Sequence, residues 1–396
     1  MVNKFNLKNF KRGIEEIIKE EELKKALSNS QKLRIYLGVD PSAPEIHLGH
    51  AICLRKLREF QKMGHKVIFL IGDFTGMIGD PTGKLSVRTP LTREQVLENA
   101  KTYKKQVSFF LNFSGENPAE IAFNSQWNDK LTFKELIDLA SKFTVQQFIE
   151  RDMFENRLKE NKPIFLHEFL YPLIQGYDAV MLDADVQIGG SDQKFNMLIS
   201  RQMVKEFKNK PHIVITAPLL EGTDGRKMSK SYNNTINITD NPQDMFGKVM
   251  SLKDELILKY FYLATELSEI EIQKIEKQLQ TGLNPKEAKM KLAFEIVKIY
   301  HGETLAKKAM AEFERVFSQK KAPLDIPEIS LPPKPIKLID LLLELKMIKS
   351  KAEGKRIIEQ GGLDINNQKI TDKDFVIKPY SGMIIKLGKR KWLKIK

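Results

Sequence analysis

The 396-residue sequence holds a single cysteine, Cys53, and only two tryptophans. One thiol excludes an internal disulfide and any zinc site built on several thiolates, and it suits a reducing compartment. Cys53 itself reads as a small buried apolar residue. No stretch approaches the roughly eighteen uninterrupted apolar residues that a membrane span needs, so no membrane crossing is expected. The first twenty residues mix Lys with Glu and lack both the apolar core and the small-residue cleavage site of a secretory signal, which makes the cytoplasm the expected location. No repeat or low-complexity tract is present.

Acidic residues are the scarcer sign, 51 against 65 Lys and Arg, for a net charge of +14. The excess is uneven. Residues 337–396 hold 15 Lys and Arg against 7 Asp and Glu, so more than half of the net charge sits in the last sixty residues. A concentrated basic segment favours a polyanion such as nucleic acid over a merely solvated surface.

From Lys32 to Pro218, short apolar runs (LRIYLGV, KVIFLIGDF, EIAFN, DVQIGG, HIVITAP) alternate with longer amphipathic stretches. That alternation predicts an α/β layer fold with a largely parallel sheet. The helical stretch over 132–182 exceeds a simple crossover and reads as an insertion of the kind that forms a dimer surface. Residues 243–319 read as successive amphipathic helices. Pro323, Pro327, Pro332, Pro333 and Pro335 then crowd into a stiff linker. A last domain is expected from Lys337. In it Ser350 and Glu353 have capping-box spacing, Lys351 and Lys355 share a helix face, Gly361-Gly362 supplies a helix stop, and Asn366-Asn367 a hairpin turn.

Two segments carry chemistry. In YLGVDPSAPEIHLGHA, residues 36–51, a strand ends in a loop, and His47, Gly49 and His50 open the next helix. A helix N-terminus offers N–H groups and positive dipole to an anion, and Gly49 lets a ligand approach the backbone. Two imidazoles spaced i,i+3 without further ligands make a poor zinc site. In GTDGRKMSKSYNN, residues 222–234, Lys227 and Lys230 can act as point charges on a polyphosphate, and the flanking glycines predict mobility. Either segment alone would be a capped helix or a solvated turn. Together, at opposite ends of an α/β domain whose strand C-termini share one crevice, they point to a nucleotide site. GDPTGKL is no Walker A loop, since Ile78 and Leu85 stand where Gly and Ser/Thr are required, and no GxGxxG opens a helix.

The pair resembles the HIGH and KMSKS signatures of class I aminoacyl-tRNA synthetases, with Leu48 for Ile in the first and the second complete. Between them, Tyr171, Gln175 and Asp178 fall on one helix face by i, i+4, i+7 spacing, which in isolation would be a polar stripe. They resemble the tyrosine-binding helix of bacterial-type tyrosyl-tRNA synthetases of the KMSKS-bearing subgroup. The resemblance implies that Tyr171 and Gln175 hold the substrate amino group, and that Asp178 and Tyr36 receive the phenol hydroxyl. A phenylalanine side chain would leave that buried pair unsatisfied. Rejection of phenylalanine without an editing domain belongs to the family and is adopted from it.

By the same resemblance Asp80 is an amino-group ligand with Thr75 beside it, and Asp192 and Gln193 contact the ribose and the tyrosine carboxyl, with Gly190 lining that wall. Gly38, Asp40, Ser42 and Ser231 fall on the ATP side, and Lys84 and Arg88 on a loop that assists pyrophosphate. Each has a blander reading as a cap or turn residue. Leu37 stands where some members have a cysteine that contacts ribose, and Lys194 where many have Trp.

The implied fold is α/β: a Rossmann-like parallel-sheet catalytic domain with an inserted dimerisation segment (1–222), a lysine loop and α-helical anticodon-binding domain (223–322), a linker (323–336) and a small α+β RNA-binding domain (337–396) resembling a ribosomal small-subunit protein. The implied activity is tyrosine–tRNA ligation from ATP, L-tyrosine and tRNA(Tyr) by a homodimer, with Mg2+ accompanying ATP and no protein metal site or organic cofactor. A tryptophanyl enzyme is the nearest alternative, and an RNA-binding protein with a vestigial nucleotide site the more distant one.

Overall fold

The computed structural model describes residues 10–29, 31–82, 91–229, 232–318, 326–366, 368–388 and 391–396. The chain forms two compact units, Met1–Ala306 and Lys307–Lys396.

The first unit is built on a six-stranded sheet: β1 (Glu16–Ile18), β2 (Arg34–Val39), β3 (Lys66–Ile71), β4 (Glu120–Phe123), β5 (Val186–Gly190) and β6 (Ile213–Ala217), in the order β1-β6-β5-β2-β3-β4. The five expected runs are β2 to β6, and all pair in parallel. β1 was not foreseen. It adds antiparallel to the β6 edge, with Glu16 opposite Thr216. Residues 67–71 of β3 and the whole of β6 are buried, as parallel strands covered on both faces must be. From β2 the chain proceeds outward through β3 and β4 and then returns to β5 on the other side of β2. The sheet therefore reverses direction between β2 and β5, and a crevice opens at the carboxyl ends of these strands.

Three helices border that crevice. α1 (Leu48–Lys62) follows β2, α2 (Leu166–Met181) precedes β5, and α3 (Lys194–Lys208) follows it. α2 and α3 pack very closely, because a Cβ at Gly176 would lie 2.3 Å from Met203 Sδ. The expected helical stretch is divided among several helices. Thr132 and Thr144 start separate short helices, Phe133–Ala140 and Val145–Ile149, by accepting from the N–H groups of Glu135 and Gln147, and Asp152–Lys159 and α2 follow. The buried Arg157–Glu168 pair holds the last two together.

Beyond the lysine loop come Pro242–Met250, α4 (Ile257–Ala264), Glu269–Gln280 and Pro285–His301. Asn241, Ser268 and Asn284 cap three of these, with Pro at the first position after both asparagines. Phe246, Tyr260, Phe261, Leu292 and Ile296 are fully buried among them.

The second unit contains helices Leu338–Glu344 and Lys351–Glu359 and a five-stranded sheet ordered β10-β9-β12-β13-β7: β7 (Glu328–Ile329), β9 (Leu363–Ile365), β10 (Gln368–Lys369), β12 (Ile384–Leu387) and β13 (Lys391–Ile395). β8 (Ile336–Lys337) pairs with β11 (Val376–Ile377). Ser350 accepts from Glu353 N–H and Gly361 is left-handed as expected, and β9 pairs antiparallel with β10, Ile365 opposite Gln368; Asn367 of the expected turn lies outside the described residues. The proline-rich stretch also supplies β7 at the sheet edge, where a neighbouring proline breaks no ladder.

Candidate active site

His47 is the N-cap of α1. The His50 Nδ1 accepts from the His47 backbone N–H at 3.3 Å, and the two rings stack with centroids 3.8 Å apart. Burial pushes the His47 imidazole well below the ordinary histidine range and His50 down to about 4, so both are neutral near pH 7. His47 Nδ1 is buried without a hydrogen-bond partner. The first N–H of the helix, from Leu48, is not free for an anion as expected, since it donates to the Ile236 carbonyl at 3.0 Å. Ile238 N–H in turn donates to the Ile46 carbonyl, so the strip just beyond the lysine loop is zipped to the HLGH segment. The two signatures, about 180 residues apart in the chain, are neighbours in space. Gly49 lies in the first turn, against the His47 ring.

Lys227 meets Asp192 at 2.5 Å, joining the lysine loop to the short 3-10 turn Ser191–Gln193 after β5. The first half of the loop is tied together by side-chain bonds. Buried Asn234 donates to Asp224 at 2.7 Å and accepts from Ser229 N–H at 2.8 Å, and a Cβ on Gly222 would collide with it at 2.4 Å. Lys230 and Ser231 lie outside the described residues, as do Lys84 and Arg88.

The remaining candidates form a polar network at the ends of β2, β3 and β4. Tyr171 donates to Asp40 at 2.8 Å and Thr75 donates to the other Asp40 oxygen at 2.6 Å. Asp40, assigned to the ATP side, is thus joined to two residues assigned to the amino acid. Gly72 makes room, because a Cβ there would sit 2.1 Å from Asp40 Oδ1. Burial, then the neighbouring Asp40 charge, raises the Tyr171 phenol well above its usual range. Asn124 continues the chain, donating to Thr75 at 3.0 Å and to Asp178 at 3.1 Å.

Asp178 is buried and also accepts from Trp127 Nε1 at 2.7 Å and Asn128 at 3.1 Å. Burial raises its carboxyl to about 7 in spite of these donors. The Tyr36 hydroxyl, on β2, is buried without a hydrogen bond of good geometry, with Ser200 alongside and its phenol raised by burial and by Asp178. A second chain of bonds runs through the proposed amino-group ligands: Gln193 donates to Asp80 at 2.6 Å, and Asn196 donates to Gln193 and Gln175 at 3.1 Å each. A Cβ on Gly190 would press on Asp192 at 2.6 Å. Gly38 and Ser42 are exposed at the mouth of the crevice.

Asn124, Trp127, Asn128, Asn196, Thr82 and Arg151 join this site and were not foreseen. Asn124 sits directly after a parallel strand, where a polar residue is a signal for a crevice group. Arg151 has no such signal. It stands at the N-cap position of the Asp152–Lys159 helix without capping it through its side chain, and its Nη2 donates to Thr82 Oγ1, which donates to Asp80.

A parallel sheet that reverses at β2 and β5, with paired imidazoles and a lysine loop at the reversal, is a class I nucleotide-activating arrangement. Residues 28–318 match the family model for tRNA synthetases class I (W and Y), and residues 318–395 match the tyrosine–tRNA ligase SYY-like C-terminal domain. The chain is 48% identical over 390 residues to a tyrosine–tRNA ligase of Aquifex aeolicus, covering 98% of both chains. It is 46% identical over 391 residues to a tyrosine–tRNA ligase of Thermotoga maritima, covering 98% of this chain and 96% of that one. Among solved structures, a C-terminally truncated mitochondrial tyrosyl-tRNA synthetase of Aspergillus nidulans superposes with a TM-score of 0.64 at 25% identity, over 78% of this chain and 92% of that chain. The chain therefore belongs to the class I tRNA synthetases and, within them, to the tyrosine–tRNA ligase family.

Proposed function

We propose that this chain activates L-tyrosine with ATP and transfers the tyrosyl group to the 3′-terminal adenosine of tRNA(Tyr). The observation that carries the choice of amino acid is the buried end of the crevice, where Asp178, held by Trp127, Asn124 and Asn128, is the principal charge acting on the Tyr36 hydroxyl. A phenol O–H satisfies both residues, donating to the carboxylate and accepting from the tyrosine hydroxyl. An indole or a phenyl ring does not.

In the first step a tyrosine carboxylate oxygen attacks the α-phosphorus. The bond from that phosphorus to the bridging oxygen breaks, and pyrophosphate leaves with the electron pair. Asp80, Tyr171 and Gln175 orient the amino group, Asp192 and Gln193 the ribose and carboxyl. His47 and His50, as neutral donors, and Lys227 and Lys230, as cations, stabilise the charge that develops on the phosphates. Lys84 and Arg88 assist the leaving pyrophosphate in this reading. Mg2+ belongs to it as the companion of ATP, held largely by phosphate oxygens and water. In the second step a terminal ribose hydroxyl of tRNA takes the tyrosyl group and AMP leaves.

The helical module (223–322) and the basic last domain (337–396) would bind tRNA. A homodimer, acting in the cytoplasm, is supported by apolar side chains left open on the inserted helices, among them Phe133 at 78% and Leu166 at 82% exposure. Exchange of labelled pyrophosphate into ATP, run without tRNA and with tyrosine, phenylalanine and tryptophan in parallel, tests the proposal. Exchange with tyrosine alone is expected, and exchange with tryptophan instead would overturn the substrate.

A further inference from the structure

We infer that Arg151 is an anion-binding residue of the activation site, taking the carboxylate of tyrosine and then the phosphate of the adenylate; this rests on the tyrosine-activating reading above. Arg151 is only 9% exposed, and the positive charge it carries at any physiological pH is held in place from two sides. Nη2 donates to Thr82 Oγ1, and the guanidinium lies over the Phe195 ring, 5.0 Å from its centroid. Nη1 is buried and has no hydrogen-bond partner. A buried charged donor without an acceptor is costly, and a site that keeps one needs a reason.

Its surroundings point to the missing acceptor. Asp80, Asp192 and Tyr171 are the groups whose charge acts on Arg151, and burial is what lowers its guanidinium. Asp80 and Tyr171 are the proposed amino-group ligands, and Asp192 the proposed ribose ligand. In a tyrosyl-adenylate the atoms between an amino group and a ribose are the mixed anhydride, whose phosphate carries the charge. Before reaction, the same place is taken by the tyrosine carboxylate. The crevice is rich in carboxylates, with Asp40, Asp80, Asp178 and Asp192 joined into its hydrogen-bond networks, and Lys227 is already paired with Asp192. An anionic junction in such a place requires a cation, and Arg151 presents one with a free donor. Thr82 makes the alternative concrete: Arg151 could act solely by bracing Asp80 through Thr82, in which case it would serve the amino group and not the anion.

Two probes separate these roles. Tyrosinol keeps the amine and the phenol but lacks the carboxylate, and tyrosinyl adenylate adds an anionic phosphate to it. Arg151→Gln is expected to weaken tyrosinyl adenylate by about 10- to 100-fold while leaving tyrosinol within about twofold, as loss of a buried charge-assisted hydrogen bond predicts. Equal weakening of both probes would overturn the inference in favour of bracing through Thr82, and so would unchanged affinity for tyrosinyl adenylate. Thr82→Val provides the converse, with tyrosinol weakened and the added affinity of the adenylate over tyrosinol retained. Should Arg151→Gln not fold, Arg151→Lys, which keeps the charge but loses the planar fork, is expected to weaken tyrosinyl adenylate several-fold with tyrosinol unchanged, and equal effects on both again overturn it. Wild-type protein that binds neither probe would sink the tyrosine reading itself, an outcome distinct from any difference between variants.

Discussion

The two halves of the crevice are built differently. At the tyrosine end, Asp40, Thr75, Asn124 and Asp178 are linked by hydrogen bonds from one to the next, and Gln175, Asn196, Gln193 and Asp80 form a second chain. At the nucleotide end, His47 Nδ1 has no partner and Lys227 is held by one half-exposed ion pair. The first half is cross-linked by hydrogen bonds and leaves the Tyr36 hydroxyl open to its ligand, whereas the second is held at few points, by the Lys227–Asp192 pair and the backbone bonds between HLGH and the strip after the lysine loop. Discrimination between similar side chains needs fixed polar groups, and stabilisation of charge that exists only in passing needs groups still free to receive it.

The strongest way to break this contrast is at Asp178. Replacing it by Asn sets an amide NH2 against Trp127, Asn124 and Asn128, which are already donors, so the phenol-binding end loses its acceptor and its internal order together. Asp178→Asn is expected to lower kcat/KM for tyrosine in pyrophosphate exchange by about 100-fold or more. A loss below tenfold would mean that the end is not fixed by this carboxylate. At the other half, His47→Ala should lower kcat by about 100-fold and leave the dissociation constant of tyrosine within about twofold. A rise in that constant comparable to the loss of kcat would show that the two halves are not separable.

Acidity sharpens the contrast further. Asp178, raised by burial to about 7, must be ionised to accept the phenol, so tyrosine affinity should fall about tenfold for each pH unit below 7. His50, pushed down to about 4, and His47, lower than usual as well, stay neutral across pH 6–9 and contribute no inflection there. The same shift acts on stability with a definite sign. Between about 4 and 7 the unfolded carboxyl has lost its proton while the folded one retains it, so stability falls as pH rises through that window and levels off above it. Titration of tyrosine binding and thermal unfolding in parallel measures both, and Asp178→Asn should flatten both curves.

How much of this was legible beforehand depends on whether the signal was contiguous. The parallel strands were, because burial on both faces writes them as unbroken apolar runs such as Val67–Ile71. β1 was not, since Glu16–Ile18 is three residues long and owes its conformation to the edge of β6. β7 was hidden in a proline-rich stretch for a related reason: its pairing comes from Lys394 and Ile395, far along the chain. Within the site, His47, His50 and Lys227 sit in compact motifs, and Tyr171, Gln175 and Asp178 on one helix face. Asn196, Trp127 and Arg151 arrive singly from different elements, and only the folded sheet reveals what they touch. Gly72 and Gly176 are similar cases, because their role is to let Asp40 and Met203 come close.

The smallest effect tests whether the helical module holds the nucleotide half in shape. α4 is tied to both signatures. Tyr260 donates to the Glu221 carbonyl at 2.5 Å and Lys259 pairs with the Glu221 side chain at 2.7 Å, while Glu221 bridges to Lys227 in the lysine loop. At its other end, Arg55 of α1 donates to the Leu263 and Ala264 carbonyls at 3.0 Å each, and Arg12 to those of Phe261, Tyr262 and Thr265. Cations at a helix C-terminus are favourable there, and these also satisfy carbonyls the helix leaves open. A single helix thereby fixes the spacing between the base of the lysine loop and the helix that carries His47 and His50. Tyr260→Phe removes one neutral hydrogen bond and no packing volume beyond an oxygen, so kcat for pyrophosphate exchange should fall about three- to fivefold with tyrosinol affinity unchanged. A lower melting temperature with an unaltered kcat would reduce α4 to packing alone, and the histidines and Lys227 of the nucleotide half would then owe their placement to the sheet and not to the helical module.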